Sequence, residues 1–193
     1  MSTAQTLIAI LVPIAVILIL VAVGVSLVTR RRRRRLQEKF GPEYDRAVQS
    51  GESRREAERE LQAREKRHRD LDLKELSPEE RDRYATEWRG TQERFVDHPA
   101  QSVDDADRLV TQLMRDRGYP TEGFEQQLRD LSVEHAQTLE HYRDAHDVSL
   151  RNENGEATTE ELRGAMVRYR TLFDDLLGSG LPPHHESTGH DAA

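Results

Sequence analysis

The sequence predicts an all-α protein, an N-terminal transmembrane helix followed by an antiparallel amphipathic helical bundle. Three observations predict it. An uncharged run of 22 residues, Leu7–Val28, stands near the front of the chain, and six consecutive arginines, Arg30–Arg35, close it. Beyond them, apolar residues recur at spacings of three and four, the period of a helix with one buried face. No stretch alternates with period two, so no strand is expected.

The first element is the apolar run itself. At the helical rise it covers about 33 Å, enough for a hydrocarbon layer of ~30 Å. Pro13 is tolerated there, because local adjustments in a bilayer re-satisfy the carbonyl it frees. A run this apolar on every side suits lipid better than a single buried core helix. A cleaved signal peptide would place positive charge before a shorter apolar region and small residues at its end. Here no Lys or Arg precedes the run, and Val25-Ser26-Leu27-Val28 is bulky, so an uncleaved anchor is expected. Cleavage and export remain the alternative.

Lys and Arg close to a span are retained in the cytoplasm. Met1–Thr6 carries no charged side chain, against Arg30–Arg35 on the other side. The expected topology is therefore single-pass in the cell membrane, with the N-terminus outside and the C-terminal domain cytoplasmic. The arginines face lipid in this reading, each attracted to anionic headgroups by about 1 kcal/mol near the surface. The same run also fits a nucleic-acid patch. However, residues 36–193 hold 23 basic and 36 acidic side chains, a net −13, and such a body repels nucleic acid. The lipid bilayer and anionic headgroups are thus the expected partners, and nucleic acid is not.

The chain divides into an N-terminal tail and transmembrane helix over 1–29 and a basic juxtamembrane run with a charged helical spacer over 30–76. A helical bundle domain follows over 77–178, then a disordered tail over 179–193. Gly41-Pro42 turns the chain into a short helix from Pro42 to Gln49. Ser53 and Glu56 make a capping box for a helix to about His68, with i,i+4 pairs Glu60–Arg64 and Glu65–Arg69. Its apolar content is Ala57, Leu61 and Ala63, which reads as a solvated spacer.

Ser77-Pro78-Glu79-Glu80 opens the bundle with a cap, a first-position proline and a capping glutamate. Tyr84, Trp88, Thr91 and Phe95 then form one stripe. His98-Pro99 starts a second helix carrying Val103, Ala106, Val110, Leu113 and Met114, and Gly118-Tyr119-Pro120 stops it. Its Asp104, Asp105 and Asp107 read as helix-favouring charges near an N-terminus. Phe124, Leu128 and Leu131 give a short third helix, hinged at Ser132 to a fourth that runs to about Arg151. On that fourth helix His135, Leu139, Tyr142, His146 and Leu150 share a face. Thr158 and Glu161 cap the last helix, with Leu162, Ala165, Met166, Tyr169, Leu172, Phe173 and Leu176 inward. Gly178-Ser179-Gly180 ends it.

Chemistry is sparsely marked. The chain has no cysteine, which excludes disulfides, thiolate metal sites and a Cys nucleophile. Asn152, Asn154, Gly155 and Glu161 fall at positions 3, 5, 6 and 12 of an EF-hand calcium loop, but position 1 is Leu150, which has no oxygen to give. A glycine turn before a capped helix accounts for the same residues. His135 and His146 stand about 16 Å apart on one helix, too far to share a metal. They read as core histidines with hydrogen bonds, a pH response being the functional alternative. His184, His185 and His190 suggest no designed site. No phosphate loop, nucleophile elbow or His-Glu-x-x-His is present, so no catalytic residue, no cofactor and no metal is expected, and the protein reads as a non-enzyme. Asp174-Asp175 opposes the macrodipole at a helix C-terminus, an oddity that suggests a basic partner surface.

Several segments resemble a family of uncharacterised single-pass bacterial membrane proteins. They are Phe40-Gly41-Pro42-Glu43-Tyr44-Asp45-Arg46, Tyr84 through Trp88 to Phe95-Val96-Asp97, Ala106-Asp107-Arg108-Leu109-Val110, Arg117-Gly118-Tyr119-Pro120, Asp130-Leu131-Ser132-Val133, and Tyr169-Arg170 with Leu172-Phe173. The resemblance spans about Leu36 to Leu177 and implies an N-terminal anchor with a helical soluble domain. Members are sometimes labelled secreted, against which the charge order here argues. The resemblance implies no activity. The functional expectation is a non-catalytic interaction or scaffold module on the cytoplasmic face, meeting an unidentified protein partner or a second copy of itself. Ala22 and Ser26 form a small-xxx-small pair suited to self-association of the anchor. The alternative is a membrane-tethered sensor of an ion, a ligand or pH.

Overall fold

A computed structural model describes residues 3–178 of the chain, with side chains from residue 19 onward. Every regular element among the described residues is helical, so the protein is all-α. The chain forms two compact units, residues 1–66 and 67–193. The expected disordered tail and its histidines lie outside the described residues.

In the first unit α1 spans Thr3–Phe40 and runs without a break through the apolar stretch and all six arginines. Among the described residues no helix is long and apolar enough to cross a membrane. Most of Leu7–Val28 falls where side chains are not described; only the part from Ile19 is. Gly41, at φ 45°, turns the chain into α2 (Pro42–Ser50), with Pro42 in the first turn as its fixed φ favours. The next helix, α3 (Arg54–Arg69), begins where the Ser53 hydroxyl accepts the Glu56 N–H.

The expectation of a solvated spacer needs correcting for α3. Ala57 and Leu61 are buried, as are Leu36, Phe40, Tyr44 and Ala47. Polar ties join the three helices: the Tyr44 hydroxyl donates to Glu58 at 3.0 Å, and Arg35 and Lys39 reach Glu65 at 2.8 and 3.0 Å. Glu60–Arg64 forms as the spacing predicts, whereas Glu65 is turned toward α1. One leucine and two alanines are too few for a seam along a whole helix. They suffice when the helix seals one spot.

In the second unit a non-helical stretch ahead of α4 (Pro78–Arg94) is followed by α5 (Pro99–Asp116), α6 (Phe124–Leu131), α7 (Leu139–Glu153) and α8 (Thr159–Leu176). The capping boxes at Ser77–Glu80 and Thr158–Glu161 are both complete. Cross-helix pairs give the directions. Tyr84–Asp116 and Arg94–Asp105 make α4 and α5 antiparallel, and Thr138–Asp175 with Arg151–Glu161 does the same for α7 and α8. By contrast, Tyr169–Asp107 and Arg117–Leu176 set α5 and α8 parallel.

Aromatic side chains fill the core. Trp88 stacks on Phe173 with ring centroids 4.6 Å apart, Tyr84 meets the same ring edge-on, and Tyr142 meets Tyr169 edge-on. Each buried tyrosine keeps a partner for its hydroxyl: Tyr84 donates to Asp116, Tyr169 to Asp107, and Tyr142 to Gln127. Burial, then the neighbouring carboxylate, holds the Tyr84 and Tyr169 phenols above their ordinary value.

The expected fourth helix starts later than its periodicity suggests. Residues after Leu131 form turns, and α7 begins only at Leu139, so His135 lies in the connector and not on the face of Leu139 and Tyr142. Leu150, expected inward, is 47% exposed. The Ser132 hydroxyl bonds back to Arg129 O, and the Thr138 hydroxyl to His135 O, local side-chain bonds that compete with the helix ladder.

Candidate functional site

The arginines that the sequence singles out all lie on the C-terminal part of α1, and helical geometry spreads them around its axis. Their surroundings differ. Arg35 pairs with Glu65. Arg33 is half-buried beside the Tyr44 hydroxyl, and its Nε is buried without a hydrogen-bond partner. Burial, then the Glu58 carboxylate, still raises Tyr44 above the ordinary phenol value, with Arg33 pulling the other way. Arg30, Arg31 and Arg34 are exposed. Arg32 is exposed as well and lines a hollow with Thr29, Arg55, Glu58 and Arg59. Arg55 and Arg59 belong to α3, and no sequence pattern links them to the arginine run.

On the N-terminal side of the arginines, the described part of the apolar run is uncovered by the protein. Ile19, Leu20, Val21, Val23, Val25, Leu27 and Val28 are each at least half exposed, from 50% to 65%. Isolated exposed apolar residues are ordinary, but contiguous ones mark a surface made for another apolar phase.

The remaining candidates are occupied by the second unit's own structure. Glu161 takes the Thr158 N–H and hydroxyl, at 2.8 and 2.7 Å, and the Arg151 guanidinium at 2.6 Å. Those bonds, the Thr158 backbone first, lower its carboxyl to about 2. The Asn152 amide donates to Ala100 O and Asp104. The loop thus presents a helix cap to its own chain, and no cluster able to hold a metal occurs among the described residues.

The three aspartates of α5 do not act merely as helix-end charges. Asp104 takes Asn152, Asp105 takes Arg94 and Arg108, and Asp107 takes Tyr169 and lies 3.4 Å from His146 Nδ1. His146 stacks on Phe124, with centroids 3.8 Å apart. His135, 5% exposed, has Nδ1 2.9 Å from Asp175 and Nε2 3.3 Å from the Tyr119 hydroxyl. Asp175 is therefore engaged inside its own unit, and the partner surface that Asp174-Asp175 suggested needs correcting for that residue. Asp174 pairs with Arg170.

The second unit also has an open groove of about 460 Å³ between α4 and α8, floored by Ala85, Trp88, Phe173 and Leu177. Sequence reasoning missed it, because Trp88 and Phe173 belong to two helix stripes that both read as core, and Ala85 and Leu177 fall outside them. The groove lining contains no histidine or hydroxyl side chain. What the described residues define is an all-α protein with a basic helical surface next to an uncovered apolar one. No protein-family model, curated protein or solved structure matches the chain.

Proposed function

We propose that the chain is a single-pass membrane-anchored helical protein, with its mass on the cytoplasmic face as a non-catalytic interaction or scaffold module. The observation that carries this reading is the uncovered apolar surface from Ile19 to Val28, followed on the same helix by Arg30–Arg35. An apolar surface of that extent is covered by lipid at least cost, and the arginines hold their end of the helix at the anionic leaflet. The bilayer and its anionic headgroups are the partners in this reading, together with a protein partner or a second copy of the chain.

A cysteine-free chain makes the test of sidedness direct. Val96 is 84% exposed in the second unit, so Val96→Cys supplies one accessible thiol. A membrane-impermeant maleimide should leave it unlabelled in intact cells and label it after lysis, with the chain staying in the membrane pellet through an alkaline wash. Labelling of intact cells, or a shortened chain in the medium, overturns the proposal.

A further inference from the structure

The arginine run has a neighbour that its sequence does not announce. Arg55 and Arg59 of α3 stand with Arg32 and Thr29 of α1 around a hollow of about 300 Å³, with Glu58 at its side. None of these three guanidinium groups has an ion-pair partner among the described residues. Other arginines of the same unit do, Arg35 with Glu65 and Arg64 with Glu60 and Glu43. Glu58, the one acid lining the hollow, accepts the Tyr44 hydroxyl at 3.0 Å. Three guanidiniums and one carboxylate leave a charge of +2. Like charges converge at a cost unless an anion joins them.

We propose that Arg32, Arg55 and Arg59 bind the terminal phosphomonoester of a lipid headgroup. The inference rests on the membrane-anchored reading and names the lipid chemistry it serves. Two features select this ligand. A phosphomonoester carries about −1.5 to −2 at neutral pH and offers three strong acceptor oxygens, whereas a phosphodiester carries a single charge. Guanidinium forks match phosphate oxygens in pairs, which lysine cannot do. The depth also fits. Arg32 lies four residues beyond Val28, about 6 Å along the helix. The headgroup layer begins at the edge of the hydrocarbon and is about 5–8 Å thick on each side. A phosphate held there belongs to a lipid whose chains run beside the exposed Leu27 and Val28.

The test uses the full chain in uncharged detergent micelles, titrated separately with dihexanoyl phosphatidic acid, dihexanoyl phosphatidylglycerol and inorganic phosphate. Arginine Nε–H resonances report binding. Phosphatidic acid should bind about tenfold more tightly than phosphatidylglycerol, as a dianion held by paired charge-assisted bonds should. Arg55→Gln with Arg59→Gln should erase that preference, and Arg55→Lys with Arg59→Lys should weaken it while keeping the charge. Arg54→Gln with Lys66→Gln, exposed on the same helix but outside the hollow, should leave the ratio unchanged. All the substituted side chains are exposed, and unaltered melting curves check the fold. Equal binding of the two lipids overturns the proposal in favour of a non-specific basic collar, and inorganic phosphate binding as tightly as phosphatidic acid overturns the lipid source. Failure of the anchor itself is read elsewhere, as release of the chain from membranes by alkaline wash.

Discussion

His135 Nδ1 lies 2.9 Å from Asp175 Oδ2, joining the connector between α6 and α7 to the last turn of α8. The contact is close without the geometry of a straight hydrogen bond. Thr138 adds a hydroxyl donor to the same carboxylate at 2.8 Å. The helix end therefore carries a negative charge against its dipole because a buried histidine and a hydroxyl hold it there.

The pair sets an acid limit on stability. Burial alone would raise the Asp175 carboxyl, but the facing His135 ring, then the Thr138 hydroxyl, hold it below its ordinary 3.8. A depressed carboxyl contributes stability above its unfolded value and loses it as pH falls through the folded one. Asp175→Asn should cost about 1–2 kcal/mol at pH 6. Below about pH 4 the melting temperature of the unsubstituted chain should fall toward that of the variant. Thermal melts from pH 7 to pH 2 check this; a constant gap across that range contradicts it.

Gly118 holds a left-handed turn, φ 91°, and a Cβ there would collide with the Asp72 carbonyl oxygen. The backbone is close because Lys74 N donates to Arg117 O at 2.9 Å. Gly123 is also left-handed, φ 78°, but has open space around it. Gly123→Ala should cost about 1–2 kcal/mol from conformation alone, and Gly118→Ala distinctly more. Urea unfolding of the two variants side by side measures the difference.

The 152–161 loop behaves as a cap in this structure. Thr158→Ala should cost about 1 kcal/mol, the usual effect of removing an N-cap side chain. The Glu161 contribution should be present above its ordinary 4.5 and disappear as pH falls toward about 2. Millimolar calcium should leave the melting curve of the chain unchanged; a calcium-dependent rise would return the loop to the ion-sensing reading.

Phe173, 1% exposed, lies under both Trp88 and Tyr84. Phe173→Ala should cost about 3–5 kcal/mol through lost burial and a residual cavity. Trp88 is the only tryptophan, so its fluorescence reports the loss directly, as a red-shifted emission and a lower urea midpoint.

Helix starts were legible because their causes lie within four residues. Pro42, Pro78 and Pro99 take first-turn positions, and Ser77 and Thr158 find their glutamates three residues on. The core of α8 was legible for a similar reason, since its apolar face from Leu162 to Leu176 repeats at the helical period over about four turns. The start of α7 was not, because Ser132 and Thr138 carry local side-chain bonds that compete with helix and leave the period unchanged. Leu150 was placed inward by its spacing, but the edge of a helix face is set by what packs against it.

By itself the sequence determined an all-α chain, the positions of its caps, and the order of charge along it: an uncharged apolar run, a block of guanidinium, and an acidic remainder. Those properties are local or additive, and no folded partner is needed to read them. Tertiary structure alone decided which charges are used up and which are left over. It turned Glu65 to α1 and Asp175 to His135, and it brought Arg55 and Arg59 to Arg32. Such pairings depend on distances between residues 20 to 40 positions apart, and helical periodicity carries no information about them.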